Sequence, residues 1–218
     1  AFLQKPGPLG ANAAVLCDDM LTLKEPPKRI ADTPDFKDHA FFEGSSIRKI
    51  GQAYYFVYSS QKNHELCYAT SPYPDREFRF RGTLVSNGDV GYDGRSERER
   101  CNATGTTHGS IEQIGGKWYV FYHRLTHGSD YSRQMCAEPL ELRPDGSIAQ
   151  VEMTSCGLHD GDLPGMGEYP AAICCNLTNG KMPHISNQIR KNLPAITHSD
   201  TEWYVGNAAK GTQIGYKY

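Results

Sequence analysis

Two stretches of this chain align with each other without a gap. SIRKIGQAYYFVYSS at 46–60 and SIEQIGGKWYVFYHR at 110–124 stand 64 residues apart. Ser46/Ser110, Ile47/Ile111, Ile50/Ile114, Gly51/Gly115, Tyr55/Tyr119 and Tyr58/Tyr122 are identical, while Tyr54/Trp118 and Val57/Phe121 are similar. Such a repeat marks a supersecondary unit used twice, and it limits the choice of fold more than anything else in the chain. Each copy reads as strand, glycine turn, strand. Gly51 and Gly115–Gly116 suit the positive-φ turns of a tight hairpin.

Two further strand candidates follow each copy. After the first come HELCYATS (64–71) and FRFRGTLVS (78–86). After the second come SRQMCAEPL (132–140) and SIAQVEMTS (147–155), the latter entered through the turn signal Pro144-Asp145-Gly146. Four antiparallel strands per unit, repeated, predict the blades of a β-propeller. A β-sandwich also has many short strands, but it does not need a gapless repeat of this length. Composition agrees with an all-β chain, with 13 Tyr, 22 Gly and 13 Pro among 218 residues and no helical periodicity of useful length. The polar, glycine-rich segment 87–107, with its RSERER run, is expected to be a solvated connection between blades.

A formal charge of −2 gives no electrostatic reason to expect nucleic acid or an anionic membrane as partner. No apolar stretch approaches the roughly 20 residues that span a bilayer. The 7 cysteines include no CxxC pair, and Cys67 and Cys136 lie within strand-like runs, so small buried hydrophobes are expected rather than disulfides or a metal site. The opening AFLQKPGPLGANAAV has neither an initiator Met nor the features of a signal peptide, and GTQIGYKY stops within a strand-like alternation. Both ends read as interior to a longer protein.

One acidic residue stands out. In DHAFFEGSSIRKIGQAYYFVYSS (38–60), Glu43 follows two phenylalanines at the start of an apolar strand. Phe41 and Phe42 predict apolar surroundings for its carboxyl. From the local residues alone, an exposed glutamate at a strand start and a functional acid remain equally open. In the repeat, His108 occupies the place of Gly44, which predicts that it enters the same central cavity from the next blade.

The run FFEGSSIRKIGQAYYFVYSS, together with NGDVGY, THGSIEQIGGKWYVFYHR, SRQMCAEPL, DGSIAQVEMTS and EYPAAICCNL, resembles glycoside hydrolase family 43. The resemblance covers residues 17 to about 177 and implies a five-bladed β-propeller, with about three blades in this chain. It implies an inverting glycosidase of the α-L-arabinofuranosidase or β-xylosidase type, acting on plant-type polysaccharide through an aspartate base, a second aspartate that tunes the acid, and a glutamate acid. Glu43 matches that acid. His108 and Arg133 match pocket residues that organise or reach the sugar, and Ser45 is a further substrate-binding candidate. No cofactor is implied as required, although a structural calcium ion near His108 is part of the resemblance.

Neither aspartate motif is present. Asp38 lies closest to Glu43 in sequence, but on the approach to the acid's own strand, and reads as a loop residue. Residues 1–177 are therefore expected to be a partial propeller, and 178–218 a linker with the start of an accessory β-sandwich. On this reading the 218 residues alone are inactive and prone to associate. A non-catalytic carbohydrate-binding propeller is the alternative, should the upstream aspartates not exist. An oligo- or polysaccharide partner implies a secreted or periplasmic protein, and the sequons at Asn102 and Asn176 are compatible with export.

Overall fold

The computed structural model describes residues 10–159 and 161–217. A two-residue ribbon, β1 (Asn12–Ala13) against β2 (Lys28–Arg29), leads into a 3-10 turn over Pro34–His39 that buries Phe36. The first blade follows. It consists of β3 (Phe41–Ile50), β4 (Ala53–Ser60), β5 (Glu65–Ser71) and β6 (Arg79–Ser86), antiparallel and in sequential order. The second sheet has three strands, β7 (Gly109–Ile114), β8 (Lys117–Thr126) and β9 (Ser129–Leu140). Beyond it, β10 (Asn176–Thr178) pairs with β13 (Gln213–Gly215), and β11 (Ala195–His198) with β12 (Trp203–Gly206).

Strand β4 explains why the first blade sits where it does. Its residues 55–60 are buried throughout, because both faces of the sheet are covered. With period 2, Tyr55 and Val57 point to one side, where Leu66, Tyr68 and Leu84 meet Ile111, Val120 and Tyr122 of the second sheet. Phe56 and Tyr58 point to the other, packing with Phe78 and with Ala11, Ile30 and Phe36 from the preceding segment. Fully burying a side chain of this size contributes about 1.5–3 kcal/mol, so the inter-sheet face is the main cohesive surface of the molecule.

The two hairpins predicted by the repeat are present. Gly115 and Gly116 both have positive φ (58° and 84°) in the two-residue turn that closes Ile114 onto Lys117. The inner strands β3 and β7 belong to different sheets, yet residues equivalent in the repeat touch. Ser46 Oγ lies 2.8 Å from Ser110 Oγ, and Arg48 Nε donates to Glu112 Oε2 at 3.2 Å. Two blades thus face each other across an approximate axis with their innermost strands side by side.

Two expectations need correction. Segment 147–155 is not a fourth strand on β9. Only Ile148 makes a bridge within its own unit, to Leu142. The segment is held instead by the first blade: Tyr55 Oη donates to Gly146 O, Tyr68 Oη accepts from Ile148 N, and Val151 N donates to Leu84 O. Pro139 supplies the reason, since a strand carrying a residue without an N–H belongs at a sheet edge. The connection 87–107 is not simply solvated either. Asn87, Asp89, Thr104 and Thr107 are buried, while Glu97 and Arg98 are exposed.

Residues 178–217 bond back to the sheets and to the connection between them. Ile185 N donates to Thr104 O, His127 N to Ile196 O, and Ser155 N to Lys217 O. Met182, Ile185 and Leu193 share a small core with Ala103 and Leu125. The 7 cysteines are free thiols, with Cys67, Cys101, Cys174 and Cys175 buried.

Candidate active site

Glu43 does not follow the plain alternation of β3. The register against β4 slips between Phe41 and Glu43 and again between Glu43 and Ser46. Such irregularities re-aim side chains. Phe41 turns into the core against Phe56 and Tyr58, with ring centroids 5.9 Å away in each case. Glu43 turns the other way and remains 33% exposed at its side chain, so Phe41 does not wall it in as expected.

Gly44, between the two slips, has φ +67°, a conformation suited to glycine. The absent side chain also makes room. A Cβ at this position would stand 2.6 Å from Cδ2 of His108, whose ring lies over the Gly44 backbone. From there His108 Nε2 reaches Glu43 Oε1 at 2.9 Å. The first blade therefore supplies an acid and a notch, and the second supplies the imidazole that fills it.

Behind His108 is His123, whose ring meets it nearly edge to face, with centroids 5.3 Å apart and planes at 70°. Burial first, then the charge of Arg133, then His108, pushes the His123 pKa down to about 4, so this ring is neutral at physiological pH. Both its nitrogens are buried and have no hydrogen-bond partner. Arg133, on β9 opposite Leu125, is exposed. The order in space is Glu43, His108, His123, Arg133.

Ser45 is exposed beside the slipped register, and it is Ser46 whose hydroxyl bonds across to the next blade. Asp38 is exposed on its 3-10 turn. Among the described residues no aspartate bonds to Glu43 or His108.

Residues 5–148 match the profile described as glycosyl hydrolases family 43. The chain belongs to that family. This family 43 chain is 44% identical, over a 225-residue alignment covering 96% of it and 48% of the relative, to a "Xylosidase/arabinosidase" of Thermoclostridium stercorarium. A "Beta-xylosidase" of Xylanibacter ruminicola is 30% identical over 68% of this chain and 45% of its own length. Among solved structures, the GH43_1 enzyme from Xanthomonas citri complexed with xylose superposes with a TM-score of 0.52 at 32% identity, over 65% of this chain and 41% of that one. The chain spans about half the length of the curated relatives it matches. The all-β propeller expected from the repeat is thus the fold of this family 43 chain.

The His108 surroundings do not make a calcium site from this chain alone. Calcium takes six to eight oxygen ligands. Around His108 stand one carboxylate, a second imidazole and the Arg133 charge. Among the described residues, the group of metal-ligand type lies elsewhere: His39, Glu65 and Cys67, with ligand atoms within 4.8 Å of one another. That group is already bonded internally. His39 Nδ1 lies 2.7 Å from Glu65 Oε1, and Ser60 Oγ donates to the same oxygen. Burial pushes Glu65 up, but the bonds from His39 and Ser60 outweigh it and hold its pKa at about 2.

Sequence reasoning left His123 unassigned, although the signal was there. A two-residue turn at 115–116 fixes the β7–β8 register, with Gly109 opposite Tyr122. One step further sets His108 opposite His123.

Proposed function

We propose that the protein carrying this chain is an inverting glycoside hydrolase that removes xylosyl or arabinofuranosyl units from oligosaccharides of plant-type polysaccharide, with Glu43 as general acid. The observation that carries the reading is Glu43 itself, turned out of the strand alternation on an inner propeller strand and anchored by His108. Relatives bearing the name xylosidase/arabinosidase support the pentose, and a related enzyme was solved with xylotriose.

In the reaction Glu43 gives its proton to the glycosidic oxygen as the bond to the anomeric carbon breaks. Water attacks from the opposite face. Its proton goes to a carboxylate base, which inversion places about 6.5–9.5 Å from the acid to leave room for that water. Among the described residues Asp38 is the nearest aspartate in sequence to Glu43, and it is not the base in this proposal. With His108 donating Nε2–H to Oε1, the transferable proton sits on Oε2. Arg133 would offer its planar fork to sugar hydroxyls, and Ser45 a single hydroxyl. Polymeric substrates lie outside the cytoplasm, so a secreted or periplasmic protein is proposed.

The test is Glu43→Gln in the full-length protein. General-acid catalysis contributes about 10²–10⁴-fold. A loss of that size is expected on xylobiose, and a much smaller one on a nitrophenyl xyloside, whose leaving group needs little protonation. Equal losses on both would overturn the role of Glu43. Unchanged hydrolysis would remove it from the chemistry altogether. Binding of xylo-oligosaccharide with no hydrolysis by the unsubstituted protein would favour a non-catalytic carbohydrate-binding propeller.

A further inference from the structure

His123 has no counterpart among the expected site residues, yet the geometry ties it to Glu43 through one intermediate. Its ring abuts His108, centroids 5.3 Å apart at 70°. His108 in turn holds Glu43 at 2.9 Å. The backbone leaves this arrangement little freedom. Gly109, next to His108, leaves no room for a side chain, since a Cβ there would lie 2.0 Å from Phe121 O, and it pairs β7 closely with β8. What remains free in His108 is rotation of the side chain, and the neighbouring ring limits that rotation.

An imidazole whose two nitrogens are both buried and without a protein partner is unusual, because buried polar atoms are nearly always bonded. Here the nitrogens draw no hydrogen bond from the rest of the protein, so what the residue offers its neighbour is its aromatic ring. An imidazolium in the same place would stand next to the Arg133 charge, and burial disfavours it further.

We propose that His123 is a positioning residue for the acid: its ring braces His108 so that Nε2 stays on Oε1 of Glu43 and the proton stays on Oε2, facing the leaving group. The proposal rests on the reading of Glu43 as general acid. His123 touches neither substrate nor reacting atoms and acts only through His108.

His123→Phe suits the test, since it keeps a ring and removes no hydrogen bond to another protein group. In the full-length protein, His123→Phe is expected to retain kcat/KM on xylobiose within about twofold, while His123→Ala loses about tenfold there, part of what the acid contributes. On a nitrophenyl xyloside the Ala variant should lose less than about twofold, because a misdirected proton matters little to a good leaving group. A purely structural role would lower both substrates together. His123→Leu, which fills the volume without a ring, serves if the Ala variant does not fold, and should behave like Ala.

Two results overturn the proposal: equal losses on the two substrates, or a Phe variant as defective as Ala on xylobiose. Glu43→Gln on the same substrates separates the layers. If it shows no leaving-group dependence, the acid reading itself has failed. If it does and His123→Ala does not, only the bracing role is wrong.

Discussion

A single missing side chain makes the acid's surroundings possible. Gly44 holds a left-handed φ and cedes its volume to His108. Gly44→Ala is expected to destabilise the fold by about 1–2 kcal/mol through backbone strain alone. The new methyl group must also push the imidazole off Glu43, so hydrolysis should fall beyond what lost stability explains. Urea unfolding alongside kcat/KM for the same preparation separates the two, and an Ala variant with full activity would show that His108 can move at no cost to the chemistry. At this scale the sequence was informative where the repeat reached. It related His108 to Gly44 and so brought the two blades' residues together. It said nothing of the slipped register at 41–46, because a bulge leaves no trace in hydrophobic periodicity. That slip is why Glu43 escapes the apolar pocket that Phe41 and Phe42 implied.

The elements were mostly legible, since β4 and β8 carry long tyrosine- and valine-rich runs with glycine turns before them. The error over 147–155 came from reading alternation and passing over Pro139, which marks β9 as an edge. The first blade holds the start of that segment, and a buried carboxyl on β9 secures its far end. Glu138 Oε1 accepts from Tyr122 Oη and Thr154 N, and Oε2 pairs with Thr154 Oγ1 at 2.6 Å. Burial pushes the Glu138 pKa up to about 7. The folded protein therefore keeps this proton where the unfolded chain, at the ordinary value of 4.5, has lost it. Its contribution is complete below pH 4.5 and declines at about 1.4 kcal/mol per pH unit towards 7, levelling off above. His123 acts in the opposite sense: with a folded pKa of about 4 against 6.5, it favours the native state increasingly as pH rises through that interval. The overlap hides both in the unsubstituted protein. Glu138→Gln keeps the shape and leaves nothing to titrate, so its stability relative to the parent should improve steadily between pH 5 and 7. Parallel stability curves from thermal melts across that range would contradict the assignment.

For the molecule as a whole, the path of residues 178–217 matters, because it runs back against the blades. Strands of three or four residues, separated by Pro and Gly, carry no mark of what they pack on. The structure ties their far end to the blade connection through Lys217, whose ammonium donates to Asp89 Oδ2 at 2.5 Å and to Glu152 Oε1 at 2.7 Å. Asp89 is fully buried and also accepts from Met153 N. Lys217→Met would strand that carboxylate, and a loss of about 3 kcal/mol is expected in denaturant unfolding. Adding Asp89→Asn should recover part of it; no recovery would mean that Lys217 stabilises by some other contact. Finally, the meeting of Ser46 with Ser110 and of Arg48 with Glu112 shows each copy of the repeat pressing on its own duplicate. Two such copies cannot diverge independently. Bulk added at one slot must be accommodated at its twin, as Gly44 does for the His108 ring across the same seam.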